Sequence, residues 1–187
     1  MKKLFAHTAV ITTLLPVAAL AHPGHDTGTF AGGFGHPLGG TDHILAMVAL
    51  GLLAAQAGGR AVWLMPLGFV AAMIAGGVAG WAGLPFPVVE PAIMASVIVL
   101  GALVALAVRL PLAAMAAMAA GFGFAHGWAH GAEGPAQGLV IYAAGFAVAT
   151  ALLHLLGIAA GRTVPALTLR LAGAGTALGG LVLALAG

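Results

Sequence analysis

Long apolar stretches follow one another along most of the chain, and they constrain its fold more than any other feature. Each has about 20 residues, enough for a helix to cross a hydrocarbon core about 30 Å thick. Six are found, at residues 37–56, 62–81, 88–108, 112–131, 137–158 and 166–186. They are apolar on nearly every face, as embedded helices are. The sequence predicts an all-α, polytopic membrane helix bundle with about six transmembrane helices.

The composition excludes several classes of protein. Of the 187 residues, 62% are hydrophobic and 5% are charged, whereas ordinary soluble domains are about 25% charged. The absence of cysteine excludes disulfides, thiolate metal sites and cysteine catalysis. Because the lysines are confined to Lys2 and Lys3, there is no basic patch for nucleic acid. We expect the lipid bilayer, and no nucleic acid, as a partner.

The N-terminus has the pattern of a cleaved signal peptide. Lys2 and Lys3 precede an apolar run over residues 4–20, and a small-x-small cleavage signal ends at Ala21. An uncleaved first transmembrane helix is the alternative. We predict three regions: a signal peptide at 1–21, a periplasmic N-terminal tail at 22–35 and a six-helix transmembrane domain at 36–187.

The arginines support the orientation that a signal peptide implies. Export places the mature N-terminus in the periplasm, so the first, third and fifth connections between helices lie in the cytoplasm. Those connections and the start of the last helix contain all four arginines, Arg60, Arg109, Arg162 and Arg170. This distribution follows the positive-inside rule. We expect a multi-pass protein of the bacterial inner membrane.

The fourth apolar stretch carries the strongest candidate for a functional site. A charged residue inside a membrane costs about 2.5–3.5 kcal/mol, so it needs a partner or a function. His126, His130 and Glu133 share one face of a helix. Two histidines four residues apart can chelate one metal ion. A hydrogen-bonded polar seam without metal is the alternative.

The other ionisable residues lie toward the same side of the membrane. His36, Asp42 and His43 open the first stretch. In a continuous helix the two histidines would be about 10 Å apart along the axis, so they could share an ion only if residues 36–40 fold back. Alternatively, these residues only begin and cap the helix. Glu90 opens the third stretch and is either an interfacial cap or a further ligand.

Other polar or small residues have structural interpretations. His154, with Thr150 four residues before it, is expected to be a hydrogen-bonded packing histidine rather than an exit ligand. The tail residues His22 and His25 are either a loose metal-capture site or incidental. Glycines four residues apart predict close helix packing. They are Gly76, Gly80, Gly123, Gly127, Gly131, Gly175 and Gly179.

Three blocks of the chain resemble the HupE/UreJ family of membrane proteins, which is associated with nickel supply to hydrogenase and urease. They are HPLGGTDHILAMVALG at 36–51, LPFPVVEPAIMASVIVLG at 84–101 and FGFAHGWAHGAE at 122–133. The similarity extends over most of the mature chain. The resemblance implies a nickel permease. It assigns metal-site roles to His36, Asp42, His43, Glu90, His130 and Glu133, with His126 on the same face.

The sequence therefore predicts an importer of a divalent transition metal, with no catalytic cofactor and no enzyme activity. Nickel is the foremost ion, with cobalt or zinc as alternatives, because imidazole and carboxylate ligands suit all three. An intramembrane zinc-dependent hydrolase competes with this hypothesis, since similar side chains hold catalytic zinc. A non-transporting accessory or sensor protein is a third interpretation. Assembly into a homo-oligomer and binding of a maturation partner are further alternatives.

Overall fold

The computed structural model describes residues 28–186; the predicted signal peptide and the tail histidines lie outside this range. The described residues form seven α-helices. Their bounds are α1 Phe30–Gly39, α2 Thr41–Ala57, α3 Ala61–Trp81, α4 Val89–Leu106, α5 Leu112–Ala132, α6 Leu139–Thr163 and α7 Ala166–Ala186. No strand occurs in this range. The predicted all-α fold class is confirmed.

The outer surface of the bundle is apolar. Five helices are long and apolar enough to cross a membrane, or six if α1 and α2 together count as one span. Large apolar side chains face outward, among them Val140, which is 85% exposed, and Leu185, which is 80% exposed. The second to sixth predicted stretches correspond to α3 through α7, and the largest difference is at the end of α6, which continues to Thr163.

The first predicted stretch is broken rather than continuous. The axes of α1 and α2 differ by 86°. Gly40 joins them with an extended backbone, at φ −94° and ψ 116°. The Thr29 side chain caps α1 by accepting a hydrogen bond from the Gly32 N–H, so the helix begins in the segment assigned to the tail. The fold-back that His36 and His43 need therefore occurs at Gly40.

Short connections make successive helices from α2 to α7 antiparallel. Acidic residues and arginines lie at opposite ends of the bundle as a result. One end of the bundle, the acidic end, carries Asp42 and Glu90 in first helical turns and Glu133 at a helix C-cap. The opposite end, the arginine end, carries Arg60, Arg109 and Arg162. The helices thus keep the two kinds of charge apart, as the sequence predicts.

Glycines produce the close contact between α3 and α5. A Cβ atom on Gly127 would overlap the carbonyl oxygen of Met73, and one on Gly131 would overlap that of Gly77. The two backbones can approach this closely only because these positions have no side chain. The predicted packing role is confirmed for the glycines of α3 and α5.

The same prediction is wrong for α7. In the described part of the chain, no neighbouring atom lies within 4 Å of a Cβ built on Gly175, and one on Gly179 would meet only the Leu45 side chain, at 3.4 Å. Gly173 and Gly180 make the close contacts with α4 instead. Spacing alone does not reveal which face of a uniformly apolar helix meets its neighbour.

We expect Gly127→Ala to destabilise the bundle, because its new methyl group would overlap the backbone of α3. Overpacking of this kind costs about 1–3 kcal/mol. Gly121→Ala on the same helix is the matched control, since no neighbouring atom of the described residues lies within 4 Å of its Cβ. It should stabilise the helix by up to about 1 kcal/mol. Thermal unfolding in detergent measures both variants, and equal melting temperatures would refute this role of the glycines.

Candidate metal centre

Three imidazoles converge near the acidic end of the bundle. They belong to His43, His126 and His130, and we call them the three-histidine site. Each offers a ring nitrogen, and these nitrogens all lie within 4.8 Å of one another. Among residues 28–186 no other group of three or more histidine or carboxylate ligands is this compact. His43 and His126 are buried, and His130 is half-buried.

Two helices hold the three-histidine site. His126 and His130 are one turn apart on α5, so their side chains lie on the same face. His43 comes from the first turn of α2, directly after the bend. Its ring centroid is 4.9 Å from that of His126 and 5.2 Å from that of His130. Because the imidazoles project from helices rather than loops, the site is largely preformed.

His36 adds a fourth imidazole beside the site. Its ring centroid is 4.8 Å from that of His130. Helix α1 reaches this position by packing closely on α6. A Cβ on Gly33 would overlap the carbonyl oxygen of Tyr142, and Gly145 of α6 similarly meets the backbone of α1. The close crossing of α1 and α6 therefore determines where His36 lies.

Phe146 of α6 forms an apolar wall against the histidines. Its ring centroid is 4.6 Å from that of His130, 5.0 Å from that of His43 and 6.0 Å from that of His36. The Phe146 side chain is itself buried. It excludes water from this side of the imidazoles, and electrostatic interactions are stronger where water is excluded.

Ser96 of α4 determines which nitrogen of His126 carries the proton. The Ser96 hydroxyl donates to the carbonyl oxygen of Ile93 over 2.6 Å. Its Oγ also lies 2.9 Å from His126 Nε2. A hydroxyl has one proton, so in the second contact the His126 Nε2–H donates to Ser96. His126 Nδ1 is therefore unprotonated, and its lone pair faces the interior of the site.

The nitrogens that face each other are spaced to share either a proton or an ion. His126 Nδ1 lies 3.2 Å from His43 Nδ1. Two nitrogens bound at 2.0–2.1 Å to a tetrahedral zinc ion would be about 3.3 Å apart. On its other side, His43 Nε2 lies 3.4 Å from Thr150 Oγ1. The buried Nδ1 of His130 has no hydrogen-bond partner among the described residues, so it is available to a ligand.

The carboxylates predicted for the site stand apart from the imidazoles. Glu90, in the first turn of α4, and Glu133, at the C-cap of α5, are exposed. Asp42, in the first turn of α2, is half-buried. None of them belongs to the compact group of ligands. They place negative charge at the acidic end of the bundle, and α4 contacts the site through Ser96 rather than Glu90.

Sequence reasoning missed Ser96 and Phe146, and it assigned Thr150 to His154 rather than to His43. The two hydroxyls are isolated in apolar helices, which signals a hydrogen-bonding role but does not identify a partner. Phe146 gave no signal among so many apolar residues. The expected hydrogen bond of His154 is wrong, because neither of its ring nitrogens has a partner in the described part of the chain.

Comparison with known proteins identifies the family. The sequence matches the model of the family described as HupE / UreJ protein over residues 10–183. The chain belongs to the HupE/UreJ family. It is 43% identical over 191 residues to "Protein HupE" of Rhizobium leguminosarum bv. viciae, covering 95% of this chain and 97% of that relative. No solved structure matches it. The resemblance seen in the sequence is confirmed, and this HupE/UreJ chain is a multi-pass membrane protein.

Proposed function

We propose that this HupE/UreJ protein is an inner-membrane permease that imports a divalent transition metal, nickel foremost, for the maturation of hydrogenase or urease. The observation that carries the proposal is the three-histidine site, with ligand nitrogens within 4.8 Å of one another inside an apolar bundle. Imidazole is a ligand for nickel, cobalt and zinc alike. The association of the HupE/UreJ family with nickel supply favours nickel among them.

In this proposal the acidic end faces the periplasm and the arginine end faces the cytoplasm, as the positive-inside rule requires. The carboxylates at the entrance, Asp42, Glu90 and Glu133, attract the hydrated cation. His36 lies beside His130 and is the first imidazole that replaces a water of the ion. The ion then moves from the entrance into the three-histidine site.

Binding changes the hydrogen bonds of the imidazoles. His126 presents Nδ1 to the ion, while its Nε2–H stays bound to Ser96. His43 gives up the proton on Nδ1, carries one on Nε2 and donates it to Thr150. Metal ligation by histidine usually depends on such outer hydrogen bonds, which fix the tautomer and the ring orientation. A rearrangement of helices then opens the route toward the arginine end.

An intramembrane zinc hydrolase is the second candidate, because three histidines and one open position also suit a catalytic zinc. Such an enzyme uses a general base near the metal-bound water. The exposed Glu90 and Glu133 are outside the compact ligand group, which favours transport over hydrolysis.

Uptake of radioactive nickel into proteoliposomes that contain the purified protein tests the proposal. We expect saturable uptake that exceeds that of protein-free liposomes and is reduced by competing cobalt or zinc. Retained stoichiometric zinc together with lipid cleavage, and no metal uptake, would establish the hydrolase instead.

We expect Ser96→Ala to weaken nickel binding by about 10- to 100-fold, the usual effect of removing a hydrogen-bond partner of a metal ligand. Without the hydroxyl, His126 is free to protonate Nδ1 and so lose its ligand lone pair. Equilibrium dialysis of the detergent-purified protein measures the affinity. Thr176→Ala removes another buried hydroxyl, on α7, and serves as the control. Equal affinities in the two variants would exclude the tautomer role of Ser96.

A further inference from the structure

His154 of α6 is a buried imidazole outside the three-histidine site. Its side chain is 0% exposed. Neither Nδ1 nor Nε2 has a hydrogen-bond partner among residues 28–186. Thr150, the partner expected from the sequence, lies near His43 instead. Buried polar groups in folded proteins are nearly always satisfied, so two unsatisfied nitrogens on one ring call for a partner such as a bound water or an ion.

Two residues, Phe69 and Thr150, connect His154 to the three-histidine site. The ring of Phe69 lies 5.8 Å from that of His126 and 5.1 Å from that of His154, measured between centroids. Thr150, which lies near His43, is four residues before His154, or about 6 Å along the helix axis. His154 is therefore one helical turn farther toward the arginine end. Among the described residues, His154 is the next imidazole beyond the three-histidine site in that direction.

The same direction leads to a cavity. Gln56, near the end of α2, has a buried side-chain oxygen without a hydrogen-bond partner in the described range, while its Nε2 donates to the Val104 carbonyl over 3.3 Å. Gln56 also lines a cavity of about 270 Å³ at the arginine end, together with Arg109 and Arg170. The positive charges there disfavour retention of a cation, which suits release.

We propose that His154 is a second, inner binding station for the transported dication. It takes the ion from the three-histidine site by exchange of ligands and passes it toward Gln56 and the cavity. Only metal–ligand bonds form and break: a neutral imidazole of His154 replaces one imidazole of the three-histidine site, and the ion keeps its charge. The inner station rests on the transport function proposed above.

The test compares wild-type protein with His154→Phe in nickel uptake and nickel binding. Phenylalanine keeps a ring at this position and removes both unsatisfied nitrogens, so thermal stability should be kept or raised. We expect uptake to fall by about 10- to 100-fold, the range for loss of a group that supports metal binding. Binding at the three-histidine site, measured by equilibrium dialysis at low nickel, should be unchanged. His154→Leu repeats the test with a smaller apolar side chain.

Leu155→Phe, on the exposed side of the same helix, is the matched control and should leave uptake unchanged. If His154→Phe and His154→Leu both transport nickel at the wild-type rate, the inner station is refuted and the permease function stands. If both variants also lose nickel binding at the three-histidine site, His154 is a structural support of that site and the inner station is again refuted. If wild-type protein itself moves no nickel, the proposed permease function fails, and the inner station fails with it.

Discussion

His126→Ala is expected to abolish high-affinity nickel binding and uptake. The hydrogen bond to Ser96 of α4 fixes the tautomer of His126. Its Nδ1 lies 3.2 Å from His43 Nδ1. Alanine removes a ligand and leaves the hydroxyl of Ser96 without its donor. Loss of an outer hydrogen-bond partner alone costs about 10- to 100-fold in affinity, so loss of the ligand itself should exceed that range. Equilibrium dialysis and proteoliposome uptake measure the two effects.

The amount of His126→Ala in the membrane and its melting temperature separate loss of the ligand from loss of the fold. Val140→Ala, on the exposed surface of the bundle, is a control that should behave as wild type. A folded His126→Ala protein with undiminished nickel affinity would remove His126 from the site.

Gly33→Leu is expected to impair nickel uptake as severely as His36→Ala. Its side chain would overlap the backbone of Tyr142 and push α1 away from α6. His36 would then lose its position beside His130. Because both substitutions remove the same imidazole from the site, combining them should cost no more than either alone. Uptake at limiting nickel, measured for the two single variants and the double variant, tests this.

Gly35→Leu provides the matched control on the same helix. No neighbouring atom of residues 28–186 lies within 4 Å of a Cβ built on Gly35, so leucine there should leave α1 in place. If Gly33→Leu and Gly35→Leu transport nickel equally well, the crossing of α1 and α6 does not position His36 for transport.

The sequence was sufficient to predict the helices that span the membrane and the ligand pair on α5. The lengths of the apolar stretches, and the Gly, Pro and Arg residues between them, locate α3 through α7. The helical period alone puts His126 and His130 on one face. The sequence did not predict the bend at Gly40. It indicated only that residues 36–40 must fold back if His36 and His43 are to share an ion. The bend of 86° brings α1 against α6, and this tertiary contact has no simple signal in the sequence.

The sequence was less informative about which polar residues surround the imidazoles. It grouped Glu90 and Glu133 with the histidines because all of them lie near the same end of the bundle. In the structure both acids are exposed at helix ends, where a carboxylate keeps its hydration. Ser96, six residues after Glu90, reaches His126 because it lies deeper in the bundle. Depth within a uniformly apolar helix is not encoded in a simple pattern of residues.

X-ray absorption spectroscopy of the nickel-loaded protein tests the central claim most directly. The account predicts that one nickel ion per chain is bound by the imidazoles of His43, His126 and His130, and that the imidazole scattering decreases in His130→Ala. A nickel ion bound only by oxygen ligands, or a spectrum identical in wild type and His130→Ala, would contradict it.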